Sequence, residues 1–525
     1  MNGLKRFQHN RMITNKEDSL KKRYLFKLGA NAINIPATLV TQAIIPRGLG
    51  AFAYGQFTFL SNFFTQIVGF FDSGTSFAFY TKLSKNLQEK AIIRFYLGLT
   101  LLISTLSIAL VGLIFFFHQS SLIWPNQKAI YIWLALLWGL LTWYSQILNY
   151  IVDAYGMTVR AEIVRLQQKV LALVLILIVY FYNALSLVNF FIYNYITIVF
   201  LCLAWWYILW KNNISIFDIA RLTLVQIKYY CLEFYRYSMP LVTYALAGML
   251  VGILDTWLLQ KFAGSVQQGF YGLSYKISSL CFLFTGTLTP LLMREFSVAF
   301  GKQDRSRMKF LFERYIPLLY SVAAFLSVFL IVQADHVVFF FGGKEFSGAV
   351  LPVTLMASYP LHQTYGQLSG SVFYATGRTK LYRNIGLFSM ALGLLGTMIL
   401  IAPSSIGGLN LGATGLAVKM ICLQFITVNI QLFFNSRLLG FSFMKFFSHQ
   451  IYSVSLFAVL ALLAKFLGNI FISRDLASFI LSAALYGLLS IGLIYVIPQL
   501  VSSSRAELKS LYLQTKNRIK GSCHA

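Results

Sequence analysis

The segment Pro46-Arg47-Gly48-Leu49-Gly50, followed by Tyr54-Gly55, returns in altered form as Lys261-Phe262-Ala263-Gly264, followed by Tyr271-Gly272. A second pair of segments matches in the same way. Tyr144-Ser145-Gln146, leading to Ala154-Tyr155-Gly156, corresponds to Tyr365-Gly366-Gln367, leading to Ala375-Thr376-Gly377. The two motifs stand almost equally far apart in each copy, from Tyr54 to Ala154 and from Tyr271 to Ala375, which is hard to produce by chance. Self-similarity at so long a period marks a chain built from two equivalent halves.

Composition says what surrounds those halves. Ordinary soluble domains are about 45–50% apolar and about 25% charged, whereas this chain of 525 residues is 58% apolar and 11% charged. Such a chain needs lipid as its solvent. Apolar runs lie near 25–45, 54–80, 91–117, 128–151, 165–182, 186–210, 237–260, 268–296, 313–333, 349–376, 384–402, 411–435, 450–468 and 476–498. Each is long enough for a helix to cross a bilayer core of roughly 30 Å. The reading is an all-α polytopic membrane protein of about fourteen transmembrane helices, two pseudo-symmetric six-helix bundles plus two C-terminal helices.

The net charge of +27 would suggest nucleic acid if it formed a patch on a soluble surface. Instead the basic residues fall in every second connection, the positive-inside pattern, so no nucleic-acid partner is expected. Only Arg47, Lys128, Lys261, Lys344, Lys465 and Arg474 fall on the opposite side, with Lys276 and Lys419 inside spans. Both termini are thus expected in the cytoplasm. The expected organisation is a basic cytoplasmic tail (1–23), a six-helix bundle (24–210), an amphipathic cytoplasmic linker (211–236), a second six-helix bundle (237–436), two additional helices (437–500) and a cytoplasmic tail (501–525). In the linker, Ile214, Ile216, Ile219, Leu222, Leu224, Val225 and Ile227 alternate with Arg221, Lys228 and Arg236, a pattern suited to the surface of an anionic leaflet. The five cysteines are scattered, so neither a disulfide framework nor a metal site is expected.

The residues between Leu39 and Phe57, together with Phe71-Asp72-Ser73-Gly74 and the Ala-x-Gly elements, resemble polysaccharide transporters of the MOP exporter superfamily, in particular the Wzx-type O-antigen flippases. The resemblance covers about residues 20 to 440. It implies a MATE-like pair of bundles around a central cavity that opens alternately to either side of a bacterial inner membrane. It also implies a cargo of undecaprenyl-pyrophosphate-linked oligosaccharide, an O-antigen or similar repeat unit, with membrane lipids and polysaccharide polymerase components as partners. The lipid II flippase is similar in helix count but carries arginines in its first helix, and here Gly29 to Ile45 has no charge.

A diphosphate and its sugars cannot be solvated by hydrocarbon, and charges placed within spans are themselves costly. The few that are present are therefore the candidates. Lys276 and Lys419 are expected to meet the pyrophosphate, against snorkelling to the interface for the first and a structural pairing for the second. Arg47, beside Gly48 and Gly50, offers a bidentate diphosphate contact or an interfacial anchor. Gln146, Gln367, Asn149 and His362 offer hydrogen bonds to sugars, or equally to neighbouring helices. Asp255 is a candidate carrier of a coupling ion, H+ or Na+, or else an ion-pair partner of Lys276 or Lys261. Asp72 is expected to cap a helix or close a gate. No other cofactor is expected.

Two other functions compete. A MATE-type cation-coupled drug antiporter would favour an acidic cavity, whereas Lys276 and Lys419 favour anionic cargo. A membrane glycan polymerase or ligase would need clustered acids, bases or a metal, and the acids do not cluster, so the chain is not expected to be an enzyme.

Overall fold

A computed structural model describes residues 20–72, 75–85, 87, 89–214, 222–471 and 475–507. The N-terminal basic tail up to 19, the linker residues 215–221, Ser73-Gly74 and the C-terminal tail from 508 lie outside the described residues. The described chain is almost wholly helical, with no strand. In order, the helices are α1 (Leu20–Asp72), α2 (Thr75–Lys85), α3 (Lys90–Phe116), α4 (Ala129–Ala154), α5 (Thr158–Phe181), α6 (Leu187–Lys211), α7 (Leu224–Ser279) and α8 (Phe282–Gly301). They continue as α9 (Arg305–Val332), α10 (Ala334–Gly342), α11 (Val350–Met356), α12 (Tyr359–Ala375), α13 (Thr379–Ile401), α14 (Gly412–Leu439), α15 (Phe443–Phe471) and α16 (Asp475–Val496).

Ten helices among the described residues are long and apolar enough to cross a membrane. The remainder of the expected fourteen are found where helices bend or break. The spans 25–45 and 54–80 share α1. The span 268–296 is divided between the end of α7 and α8, with a turn at Leu280-Cys281. The span 349–376 is divided between α11 and α12 by a turn at Ala357-Ser358. Apolar composition continues through both interruptions, which is why hydropathy alone passes over them.

The bends are where the repeat becomes visible in three dimensions. α1 turns at Gly50 (φ 74°, ψ 167°) and α7 turns at Gly264 (φ 81°, ψ −177°). Both values lie in a region essentially restricted to glycine, and these two glycines are the ones the sequence repeat aligned. The Ala-x-Gly elements agree equally well. Gly156 (φ 74°) and Gly377 (φ 70°) each follow a helix end and cap it in the same way. Gly156 N and Met157 N donate to Asp153 O and Val152 O, as Gly377 N and Arg378 N donate to Tyr374 O and Phe373 O, a left-handed C-terminal cap.

By compactness the chain divides into Met1–Gly269 and Phe270–Ala525. In the first unit Phe59, Phe64, Phe79, Tyr96, Trp124 and Ile147 are buried in one core, with Phe79 and Tyr96 stacked at 4.5 Å. The arm of α7 before Gly264 belongs to this unit: Trp257 Nε1 donates to Leu122 O at 3.1 Å. At the corners the backbones touch. A Cβ at Gly55 would lie 1.7 Å from Ser265 O, and one at Gly269 would lie 2.2 Å from Ala51 O. The glycine facing Gly55 is Gly269.

In the second unit Phe312, Tyr320, Tyr365, Leu432, Phe457 and Tyr486 form the core. The two additional helices are built into it. Tyr486 stacks on Phe325 at 4.8 Å and donates its hydroxyl to Phe325 O at 2.9 Å, while Tyr320 OH donates to Gln450 O at 3.3 Å. Outward faces carry exposed Leu101, Val170, Leu203, Leu395, Phe466 and Ile491, the apolar exterior that a bilayer requires.

Candidate functional site

In the second unit the arrangement centres on Lys419. It is only 4% exposed, on the face of α14 that packs on α13. Its aliphatic stem lies against two glycines of α13: a Cβ at Gly393 would be 3.1 Å from Lys419 Cε, and one at Gly396 would be 3.4 Å from Cγ. Absence of side chains at these positions makes the groove that holds the lysine.

His362 and Gln367 sit on α12, which packs on α14. The His362 ring meets Phe425 edge-on at 5.1 Å, and its Nδ1 is buried with no hydrogen-bond partner among the described residues. Gln367 Oε1 is 3.5 Å from Thr289 Oγ1 of α8. Between them Gln424 donates to Gln363, a pair that sequence reasoning missed. Lys276, near the end of α7, is exposed. The structure thus gathers His362, Gln367 and Lys419 on neighbouring helices of one unit, with Lys419 enclosed and Lys276 open.

In the first unit Asp72 is engaged locally. Its Oδ1 accepts from Thr75 Oγ1 (2.9 Å), Ser76 N (3.0 Å), Ser76 Oγ (2.7 Å) and Tyr96 OH (2.8 Å). The carboxylate caps the first turn of α2 and ties it to α3. Gln146 is exposed and hydrogen-bonds Tyr150, itself 5.4 Å from Tyr80. Arg47 is exposed three residues before the corner glycine. Asp255 is 8% exposed on the arm of α7 before Gly264.

One buried acid escaped the sequence reading. Glu162, 3% exposed, pairs with Arg165, whose other nitrogen donates to Asn149 Oδ1 at 2.6 Å. From sequence, Arg165 counted only as a topology charge, and Asn149 as a contact for sugars or, equally, for a neighbouring helix, and it is the interhelical contact that the structure contains. The i, i+3 spacing of Glu162 and Arg165 on a helix was the available signal.

At the more basic end of the bundle, Tyr230 and Phe234 at the start of α7 are buried beside Phe95, with ring centroids 5.2 and 5.5 Å away. Tyr230 OH donates to Glu89 Oε1 at 2.6 Å, and Lys82 pairs with Glu233 beneath the Tyr229 and Tyr230 rings. Burial and the hydrogen bond to Glu89 push the Tyr230 phenol well above its ordinary value.

No protein-family model matches the sequence, and no match was found among curated proteins. Solved structures do match. The lipid II flippase MurJ, in an inward closed conformation, aligns with a TM-score of 0.64 at 15% identity, covering 90% of this chain and 98% of that one. An inward-facing multidrug resistance MATE family transporter of the MOP superfamily aligns at 0.61 and 14% identity, covering 79% of this chain and 98% of that one. A MOP superfamily transporter from Pyrococcus furiosus aligns at 0.53 and 13% identity, over 82% and 98%. At these identities the likeness defines the fold. The chain is a multi-pass membrane protein with the architecture of the MOP superfamily transporters.

Proposed function

We propose that this protein is a flippase that moves an undecaprenyl-pyrophosphate-linked oligosaccharide across a bacterial inner membrane by alternating access. The observation that carries the reading is Lys419, a lysine enclosed between membrane helices of a fold shared with a lipid II flippase. A cationic side chain at this depth of a membrane bundle suits an anionic cargo better than a cationic one. Lys276 and Arg47 serve in this reading as entry contacts for the diphosphate, and Gln146, Gln367 and His362 as contacts for the sugars. Asp255 carries the coupling ion, H+ or Na+, and Asp72 positions the gate at the cytoplasmic end. The two six-helix bundles with their linker, the cytoplasmic termini and a polysaccharide polymerase as downstream partner belong to the same proposal. Transport, not catalysis, is the activity.

The test is loss of surface glycan in Lys419→Ala cells whose membranes contain normal amounts of the protein. Wild-type glycan in those cells removes Lys419 from the mechanism. A cation-coupled drug antiporter shares the fold, and export of a cationic dye with no effect on glycan would favour it.

A further inference from the structure

Between Tyr359 and Phe373 the residues of α12 that stay unburied are Tyr359, His362, Gln363, Gly366 and Gln367. They recur at every turn and so form one stripe, and none carries an aliphatic side chain. α12 ends at Ala375, just before Arg378 and Lys380, which puts the stripe roughly 12–24 Å along the helix from that basic end. At that depth the outside of the protein meets hydrocarbon. The neighbouring α13 meets it with exposed Phe388, Leu395, Met398 and Ile399. A stripe of phenol, imidazole and amides does not suit such a contact, because lipid leaves its polar groups unsolvated. The stripe is therefore a water-facing surface.

Adjacent helices extend the surface with groups of the same kind. Tyr275 of α7 is 46% exposed, and its ring stands 6.3 Å from that of Tyr359. Lys276 follows it and is exposed. Gln424 of α14 donates to Gln363, and an added Cβ at Gly366 would lie 3.2 Å from Gln424 Nε2 and 3.9 Å from Gln363 Oε1, so glycine lets the two helices close on this amide pair. Each amide keeps a second polar group, a donor on Gln363 and an acceptor on Gln424. No Asp or Glu lies between Asp255 and Glu295 or between Glu345 and Asp475, so the end of α7, α12 and α14 offer no carboxylate to a cation. A ring face packs on the C–H face of a pyranose, amides exchange hydrogen bonds with its hydroxyls, and a lysine beside them suits an attached diphosphate. We propose that this surface seats the sugar next to the diphosphate, with the Tyr275 ring against the sugar and Gln363 and Gln424 bonded to its hydroxyls. This seat rests on the flippase reading, in which Lys276 meets the diphosphate, and names the groups that recognise the sugar.

The test is thermal unfolding of the purified full-length protein in detergent, titrated either with the lipid-linked oligosaccharide extracted from cells deleted for its gene or with polyprenyl pyrophosphate that carries no sugar. Both should raise the wild-type midpoint, the glycosylated lipid at the lower half-saturating concentration. Tyr275→Ala should raise that concentration roughly fivefold, the loss of one ring contact, and leave the value for the bare lipid unchanged. Gln363→Met should act in the same direction, Tyr275→Phe should keep the wild-type value, and Lys276→Ala should weaken both lipids alike. A midpoint that the glycosylated lipid does not move, or that both lipids move at equal concentrations, overturns the seat, as does a preference that Tyr275→Ala retains. Should Tyr275→Ala fail to fold, the Gln363→Met titration decides by itself. Deleted cells that accumulate no lipid-linked oligosaccharide would instead overturn the flippase reading.

Discussion

At Gly393 an added Cβ would stand 3.1 Å from Lys419 Cε and 3.0 Å from Leu423 Cδ1, tighter than most real contacts. Gly393→Ala should therefore displace the lysine, cost about 1–3 kcal/mol as overpacking, and depress glycan export in parallel with Lys419→Ala. Full export with a displaced lysine would separate the two. The sequence marks Lys419 as unusual because a charge in an apolar run stands out. It does not mark the glycines that house it, since their role depends on α13 packing against α14. At Asp335, burial pushes the carboxyl upward, but the Lys465 hydrogen bonds, a backbone hydrogen bond at His336 and the charges of both neighbours outweigh it, holding the group below its ordinary 3.8. A depressed acid contributes stability above its ordinary value and loses it as pH falls through the lower folded value. Below pH 3.8 the hold of α15 on the α9–α10 turn should weaken. A pH series of unfolding midpoints should show that fall, and Asp335→Asn should flatten it.

Helix corners set the next scale. Gly264 has open space around an added Cβ, whereas Gly55 would meet the Ser265 carbonyl. Gly264→Ala therefore carries only the backbone penalty, on the order of 1–3 kcal/mol, while Gly55→Ala must separate two backbones. Unfolding midpoints should rank Gly55→Ala as the more damaging change, and the reverse order would contradict the crossing. These glycines were legible in the sequence because a backbone need for glycine is written in residue type. The helix breaks near 280 and 357 were not, because composition does not change there. The docking of Tyr230 and Phe234 was half legible. Amphipathicity suggested a helix on the membrane surface, but only packing shows that one side meets Phe95 while Val225, Tyr229 and Leu232 remain exposed. Phe234→Ala should loosen this arm and increase its cleavage by protease in inside-out vesicles, with the transmembrane helices still protected.

For the whole molecule, the sequence supplied the helical membrane class, the approximate number of spans and the duplication, because each is a sum over many residues. Which side chains share a groove, as at Lys419, depends on single contacts and was beyond its reach. The claim that organises the account is movement of a lipid-linked diphosphate sugar. It is tested most directly by reconstituting the protein in liposomes with a fluorescent polyprenyl-pyrophosphate oligosaccharide and adding a membrane-impermeant quencher. Quenching, limited to about half the probe in protein-free vesicles with a symmetric probe, should become nearly complete with the wild-type protein and return to the limited level with Lys419→Ala. Quenching that stays at the protein-free level with the folded wild-type protein, under an imposed H+ or Na+ gradient, would contradict it.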